Sequence, residues 1–238
     1  MKSGVLLKDE INNVKYGRVY WFKNGVFYVN YDIINPDESM TKVIKGRTLY
    51  YHRLGTDINQ DVIAFKPKSD DEDFSFEVTE EGKYLIIYST PEQSHTNYHS
   101  VSLSELNDDL KFENRNFILV KGKNIYFDVV GLMNGKLLVR SNFNAPNGEL
   151  YEYDPTALNQ GAIFAGQYKQ QLMSSKIIGH KVVCFYEDKQ SLGIIRDTLG
   201  KQLYSWSIPE GYSFTNLEGN IDDNVAYYYF ILNVLCIC

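Results

Sequence analysis

The chain has 238 residues, 44% hydrophobic and 23% charged, an ordinary globular composition that excludes disorder, collagen and coiled coil. Twenty-four Lys and Arg against 30 Asp and Glu leave a net charge of −6 with no basic run, so neither a nucleic-acid nor a membrane partner is expected. Tyrosine is the outlier: 19 Tyr, 13 Phe and 2 Trp make the chain 14% aromatic, and such side chains suit the pleated, half-buried surface of a sheet.

At the amino end, Val5, Leu6 and Leu7 between Lys2 and Lys8 are too few for the core of a signal peptide, and a cytoplasmic protein is expected. Beyond them no long window holds a 3.6-residue period. Instead, short runs of aromatic and β-branched residues recur at 25–31, 84–88, 136–140, 181–186 and 225–230, the pattern of β-strands. Turn sequences precede them: Lys23-Asn24-Gly25, Glu80-Glu81-Gly82, Met133-Asn134-Gly135, Ile178-Gly179 and Glu218-Gly219, whose glycines are 57, 53, 44 and 40 residues apart. A second strand-like run follows each of the first four, at 49–52, 98–103, 149–153 and 192–197. A unit of this length holding several short strands is the signature of a β-propeller blade. An irregular β-sandwich with similar turns is the alternative on pattern alone.

Between the strand-like runs 62–65 and 74–78 lies the acidic tract Ser69-Asp70-Asp71-Glu72-Asp73. It lacks the ligand alternation and central Gly of a calcium loop and reads as a solvated connection between blades. His95 and His99 have a spacing that binds metal on a helix, but strands are expected there, so no metal site and no cofactor are anticipated. His52, at the end of a strand, reads as a surface histidine. Three cysteines, Cys184, Cys236 and Cys238, lack the number and spacing of a disulfide framework or zinc site and read as reduced thiols.

Several segments, in order, resemble the propeller domain of the prolyl oligopeptidase family. They are Val14-Lys15-Tyr16-Gly17-Arg18-Val19-Tyr20-Trp21-Phe22-Lys23-Asn24-Gly25-Val26-Phe27-Tyr28, then Thr48-Leu49-Tyr50-Tyr51-His52-Arg53-Leu54-Gly55-Thr56-Asp57 with Asp61-Val62. Next come Glu77-Val78-Thr79-Glu80-Glu81-Gly82-Lys83-Tyr84-Leu85 and Ser141-Asn142-Phe143-Asn144-Ala145-Pro146-Asn147 with Leu150. The resemblance runs from about residue 7 to 230. It implies an all-β, incomplete propeller of about four to five four-stranded antiparallel blades, over residues 1–230. Residues 231–238 form an apolar tail outside it, shorter than the ~20 residues a helix needs to cross a bilayer; a truncated or mis-spliced gene product accounts for this tail better than an anchor, and an ordinary buried strand is the alternative.

Family members carry a seven-bladed propeller, connected at both ends to an α/β-hydrolase domain, that covers the active site and admits only short peptides. Their activity is serine-type endopeptidase cleavage after proline, so proline-containing oligopeptides and a hydrolase domain in the full-length gene product are the partners implied. The nucleophile of such hydrolases sits in a Gly-x-Ser-x-Gly elbow. No such pentapeptide occurs here; Gly211-Tyr212-Ser213-Phe214-Thr215 lacks the closing glycine, and Met173-Ser174-Ser175-Lys176 has none. No catalytic residue is assigned, and the chain alone is expected to be inactive. Two positions carry over as substrate-facing. Tyr16 matches a family aromatic on the surface facing the hydrolase domain, and Gln93 falls where vertebrate members place a cysteine near the same cavity. An ordinary strand tyrosine and an exposed loop glutamine are the alternatives. The competing function is a stand-alone propeller-like scaffold that binds a protein or peptide through exposed blade edges.

Overall fold

The computed structural model describes residues 7–12, 14, 19–31, 46–69, 72–91, 98–121, 125–188 and 191–232. Among the described residues, eighteen strands form five antiparallel sheets, each a meander of neighbours in sequence. The first sheet holds β1 (Tyr20–Phe22), β2 (Gly25–Asn30), β3 (Thr48–Arg53) and β4 (Val62–Phe65); the second holds β5 (Glu72–Val78), β6 (Tyr84–Pro91), β7 (Tyr98–Glu105) and β8 (Arg115–Lys121). The third contains β9 (Phe127–Met133), β10 (Lys136–Ser141), β11 (Glu149–Asp154) and β12 (Asn159–Ala165). The fourth contains β13 (Gln171–Ile178), β14 (Lys181–Glu187), β15 (Leu192–Arg196) and β16 (Gln202–Ser207). β17 (Tyr212–Glu218) and β18 (Tyr227–Leu232) make the fifth, two-stranded sheet. Among the described residues the one helix is a single 3-10 turn, Ile58–Gln60. The all-β expectation therefore holds.

The turn sequences do the work their composition implies. Asn134 and Gly135 both have positive φ (51° and 77°), as do Gly179 and His180 (57° and 56°). A two-residue turn with both central residues left-handed matches the twist of the strands it joins, so each pair closes a tight hairpin, β9 to β10 and β13 to β14.

Two compact units divide the chain, residues 1–122 and 123–238. In unit 1, one face of the first sheet presents Phe27, Val29, Leu49 and Tyr51 to Phe74, Phe76, Leu85 and Ile87 of the second. On the opposite face of the first sheet the central strands β2 and β3 are buried too, with Val26, Tyr28, Thr48 and His52 all hidden.

In unit 2, β14 serves two layers because alternate side chains point to opposite faces. Val182, Cys184 and Tyr186 pack with Leu138 and Leu150 of the third sheet. Val183 and Phe185 pack instead with Leu217 and Phe230 of the fifth. Gly193 on β15 lies under the Trp206 indole of β16; a Cβ there would come within 2.3 Å of the ring. Phe185 is completely buried, stacked on Phe214 at 4.3 Å between ring centroids and edge-on to Trp206 at 5.4 Å.

Candidate functional site

His52 was expected at the surface and is instead one of the most buried polar residues, 2% exposed. The reason lies in the strand. Alternation sends Leu49 and Tyr51 toward the second sheet and Thr48, Tyr50 and His52 to the other face, which is itself covered.

A buried imidazole needs partners, and two carboxylates supply them. After β3, Leu54 N–H bonds to the Asn24 carbonyl at 3.0 Å and Gly55 adopts φ 82°, turning the chain back. Asp57 caps the following 3-10 turn by accepting from Asn59 N–H at 2.8 Å. The extended residue after that turn is Asp61, which points its carboxylate at the strand face. Its Oδ1 lies 2.7 Å from His52 Nδ1, and its Oδ2 accepts from the Tyr28 hydroxyl at 2.7 Å. On the far side of the ring, Asp9 Oδ1 lies 3.0 Å from His52 Nε2 and also accepts from Gly55 N–H. Tyr28 is fixed by stacking on Tyr50 at 5.7 Å.

The electrostatics follow from this geometry. An ionised carboxylate only accepts, so a ring with one on each nitrogen satisfies both contacts when both nitrogens carry hydrogen. Burial works against that charge, but the hydrogen bonds His52 donates to Asp61 and Asp9 outweigh it and raise the His52 pKa above its ordinary value. Gly55 N–H, then His52, hold Asp9 below the usual carboxylate range. Burial, then Asp61, drives the Tyr28 phenol upward. With both nitrogens committed, His52 offers no lone pair to a nucleophile. Among the described residues the cluster is a charged clamp, and no serine or cysteine is bonded to it.

Unit 2 holds a second buried cation. Arg196, 7% exposed, ends β15 on the face shared with Cys184 and Tyr186. Its Nη1 donates to the Gly200 carbonyl at 2.9 Å and its Nη2 to the Tyr168 hydroxyl at 3.1 Å, while the guanidinium lies 5.6 Å from the Tyr168 ring centre. Arg196 Nε and the Tyr186 hydroxyl are buried without a hydrogen bond of normal geometry. Burial pushes the Cys184 thiol up to about 11 and keeps it unreactive. Cys184 is a free thiol, as expected; Cys236 and Cys238 lie outside the described residues.

Both positions carried over as substrate-facing, Tyr16 and Gln93, also lie outside the described residues, as do Asp70 and Asp71 of the acidic tract and His95. Sequence reading missed Asp9, Asp61 and Tyr28. The available signal was His52 and Asp61 flanking the Leu54-Gly55-Thr56 turn in one of the segments that resemble the family.

Comparison with known proteins gives this architecture its lineage. Prolyl oligopeptidase A of Amanita bisporigera is 26% identical over 90% of this chain, and prolyl oligopeptidase A of Galerina marginata is 33% identical over 38% of it. The chain spans 31% of the first relative and 13% of the second, far less than either full length. Prolyl oligopeptidase B from Galerina marginata, solved with a macrocyclization substrate, superposes with a TM-score of 0.78 at 17% identity, over 93% of this chain and 31% of that one, a likeness of fold. The family model described as prolyl oligopeptidase, N-terminal beta-propeller domain, matches residues 1–231, and the chain belongs to that family.

Proposed function

We propose that the chain acts as the substrate-gating propeller of a prolyl oligopeptidase-type serine peptidase, covering a hydrolase domain and admitting short proline-containing peptides. The observation that carries this reading is the family match over residues 1–231 in a sequence with no Gly-x-Ser-x-Gly elbow. The gating role occupies residues 1–230, the chain alone is inactive, and it works in the cytoplasm as a fragment of the family's full protein. Tyr16 and Gln93 are the side chains proposed to face substrate.

The test has two arms. The purified chain should neither cleave a Gly-Pro-linked reporter substrate nor label with a serine-directed fluorophosphonate; stoichiometric labelling of any serine overturns the inactivity. In a full-length family member carrying this segment, Tyr16→Ala should raise KM for proline peptides with a smaller effect on kcat, the pattern of lost ground-state binding. An unchanged KM returns Tyr16 to a structural role.

A scaffold that binds a protein or peptide by strand addition is the second reading. It rests on β18, an edge strand without a charged residue whose Tyr227, Tyr229 and Ile231 are exposed. Such edges invite pairing with another strand. Size exclusion decides it: association that grows with concentration and is lost in Ile231→Lys supports edge pairing, and a sharp monomer peak at every concentration rejects self-pairing.

A further inference from the structure

We propose that Asp9 and His52 form a proton-operated latch, which fastens residues 7–12 to the first sheet while the imidazole is doubly protonated and lets them go when it loses a proton. The argument starts from unequal holds on the two carboxylates. The Asp61 side chain is 2% exposed, sits 2.7 Å from the ring and is also gripped by the Tyr28 hydroxyl. The Asp9 side chain is 11% exposed, sits 3.0 Å away, also accepts from Gly55 N–H, and belongs to a segment, residues 7–12, with no strand or helix of its own. When one ring proton leaves for solvent, one nitrogen presents a lone pair to a carboxylate and the contact turns repulsive. Asp61 keeps the remaining N–H, because it has the shorter contact and the more buried side chain. Asp9 loses its grip.

The groups facing the ring define the titration. Asp61 comes from the loop before β4 and Asp9 from the amino-terminal segment, and among the described residues these two carboxylates are the charges that act on it most strongly. Tyr28 of β2 reaches it through Asp61, and Tyr50 of β3 stacks on Tyr28. Because the folded-state pKa of His52 lies above the ordinary value of about 6.5, the latch is fully closed below that ordinary value. It opens as pH rises through the raised one. At the acid extreme, Asp9, whose pKa is depressed, lets go as pH falls through its own folded value. The latch is therefore a window, closed in mildly acidic solution and open on either side.

Two measurements on the intact chain test this. Nitrogen-15 NMR of the imidazole should show both ring nitrogens protonated at pH 6, and a titration above the ordinary histidine range. Amide exchange, corrected for intrinsic chemistry, should show the Gly55 amide, which donates to Asp9, losing about tenfold in protection across that titration, the scale of one charge-assisted hydrogen bond. Asp9→Asn should abolish the step in exchange and lower the His52 pKa; His52→Gln should abolish the step outright. A ring with one unprotonated nitrogen at pH 6, a step that survives in Asp9→Asn, or a His52 titration that leaves Gly55 exchange unchanged each overturns the latch. Should His52→Gln fail to fold, the wild-type titration and Asp9→Asn decide the matter between them.

Discussion

Unit 1 and unit 2 each bury a cation on the face of a β-sheet, and they neutralise it by opposite means. His52 sits between two carboxylates, whereas Arg196 relies on a backbone carbonyl, a phenol and the face of an aromatic ring. Among the described residues no carboxylate is bonded to Arg196. A guanidinium is weakly hydrated and keeps its charge at any ordinary pH, so spreading that charge over neutral dipoles suffices. An imidazole has the choice of discharging, and strong acceptors on both sides are what hold the proton. The same layered architecture thus contains one permanent cation and one conditional one.

Replacing the acceptors breaks the comparison most sharply. Asp61→Ala removes the partner shared by His52 and Tyr28 in a closed environment, and should cost about 3–5 kcal/mol of stability in urea, the scale for stranding a buried charge. Arg196→Met should cost less, about 1–3 kcal/mol, since the apolar replacement leaves only dipoles unpaired. The loss should be the same from pH 6 to pH 9. If the Arg196→Met penalty varied with pH, the two sites would not differ in kind.

His52→Gln sharpens the contrast. The folded-state pKa is raised, so the stabilisation is complete below the ordinary value and fades as pH climbs through the raised one. Calorimetry should find the variant about 1–3 kcal/mol less stable than the wild type at pH 6, with the gap narrowing as pH climbs through the raised value. A gap that widened in that direction would mean His52 is buried neutral. The smallest effect belongs to Cys184. In a Cys236→Ser, Cys238→Ser background, a disulfide reagent at pH 8 should leave it unmodified until denaturant is added, because burial holds the thiol at about 11.

Much of the layering was legible in the chain. The Asn134-Gly135 and Gly179-His180 turns, and the alternation of Val182 to Tyr186 on β14, announce hairpins and a sheet with two apolar faces. His52 was misread because alternation tells which residues share a face, not whether that face is covered. The central strands β2 and β3 are buried on both sides around His52, so the outward histidine is as hidden as the inward tyrosine beside it. Asp9 could not be found by periodicity, since it lies in a segment with no regular structure. Arg196 was visible in principle: Leu192, Ile194 and Arg196 share one face by period two, and a cation in that series marks a place where the core must supply polar partners.

Trp206 lying across Gly193 gives the molecule an internal optical label. The chain has two tryptophans, and the other, Trp21 on β1, is 63% exposed. Indole emission shifts to shorter wavelength in apolar surroundings, so Trp206, flanked by Phe185, Tyr204 and Tyr228, supplies the blue component and Trp21 the water-like one. Loss of the blue component then follows unit 2 alone. Gly193→Ala, by lifting the indole off the strand, should redden the folded spectrum while leaving the water-like Trp21 component of unit 1 unchanged, so intrinsic fluorescence can time the melting of one unit against circular dichroism of both.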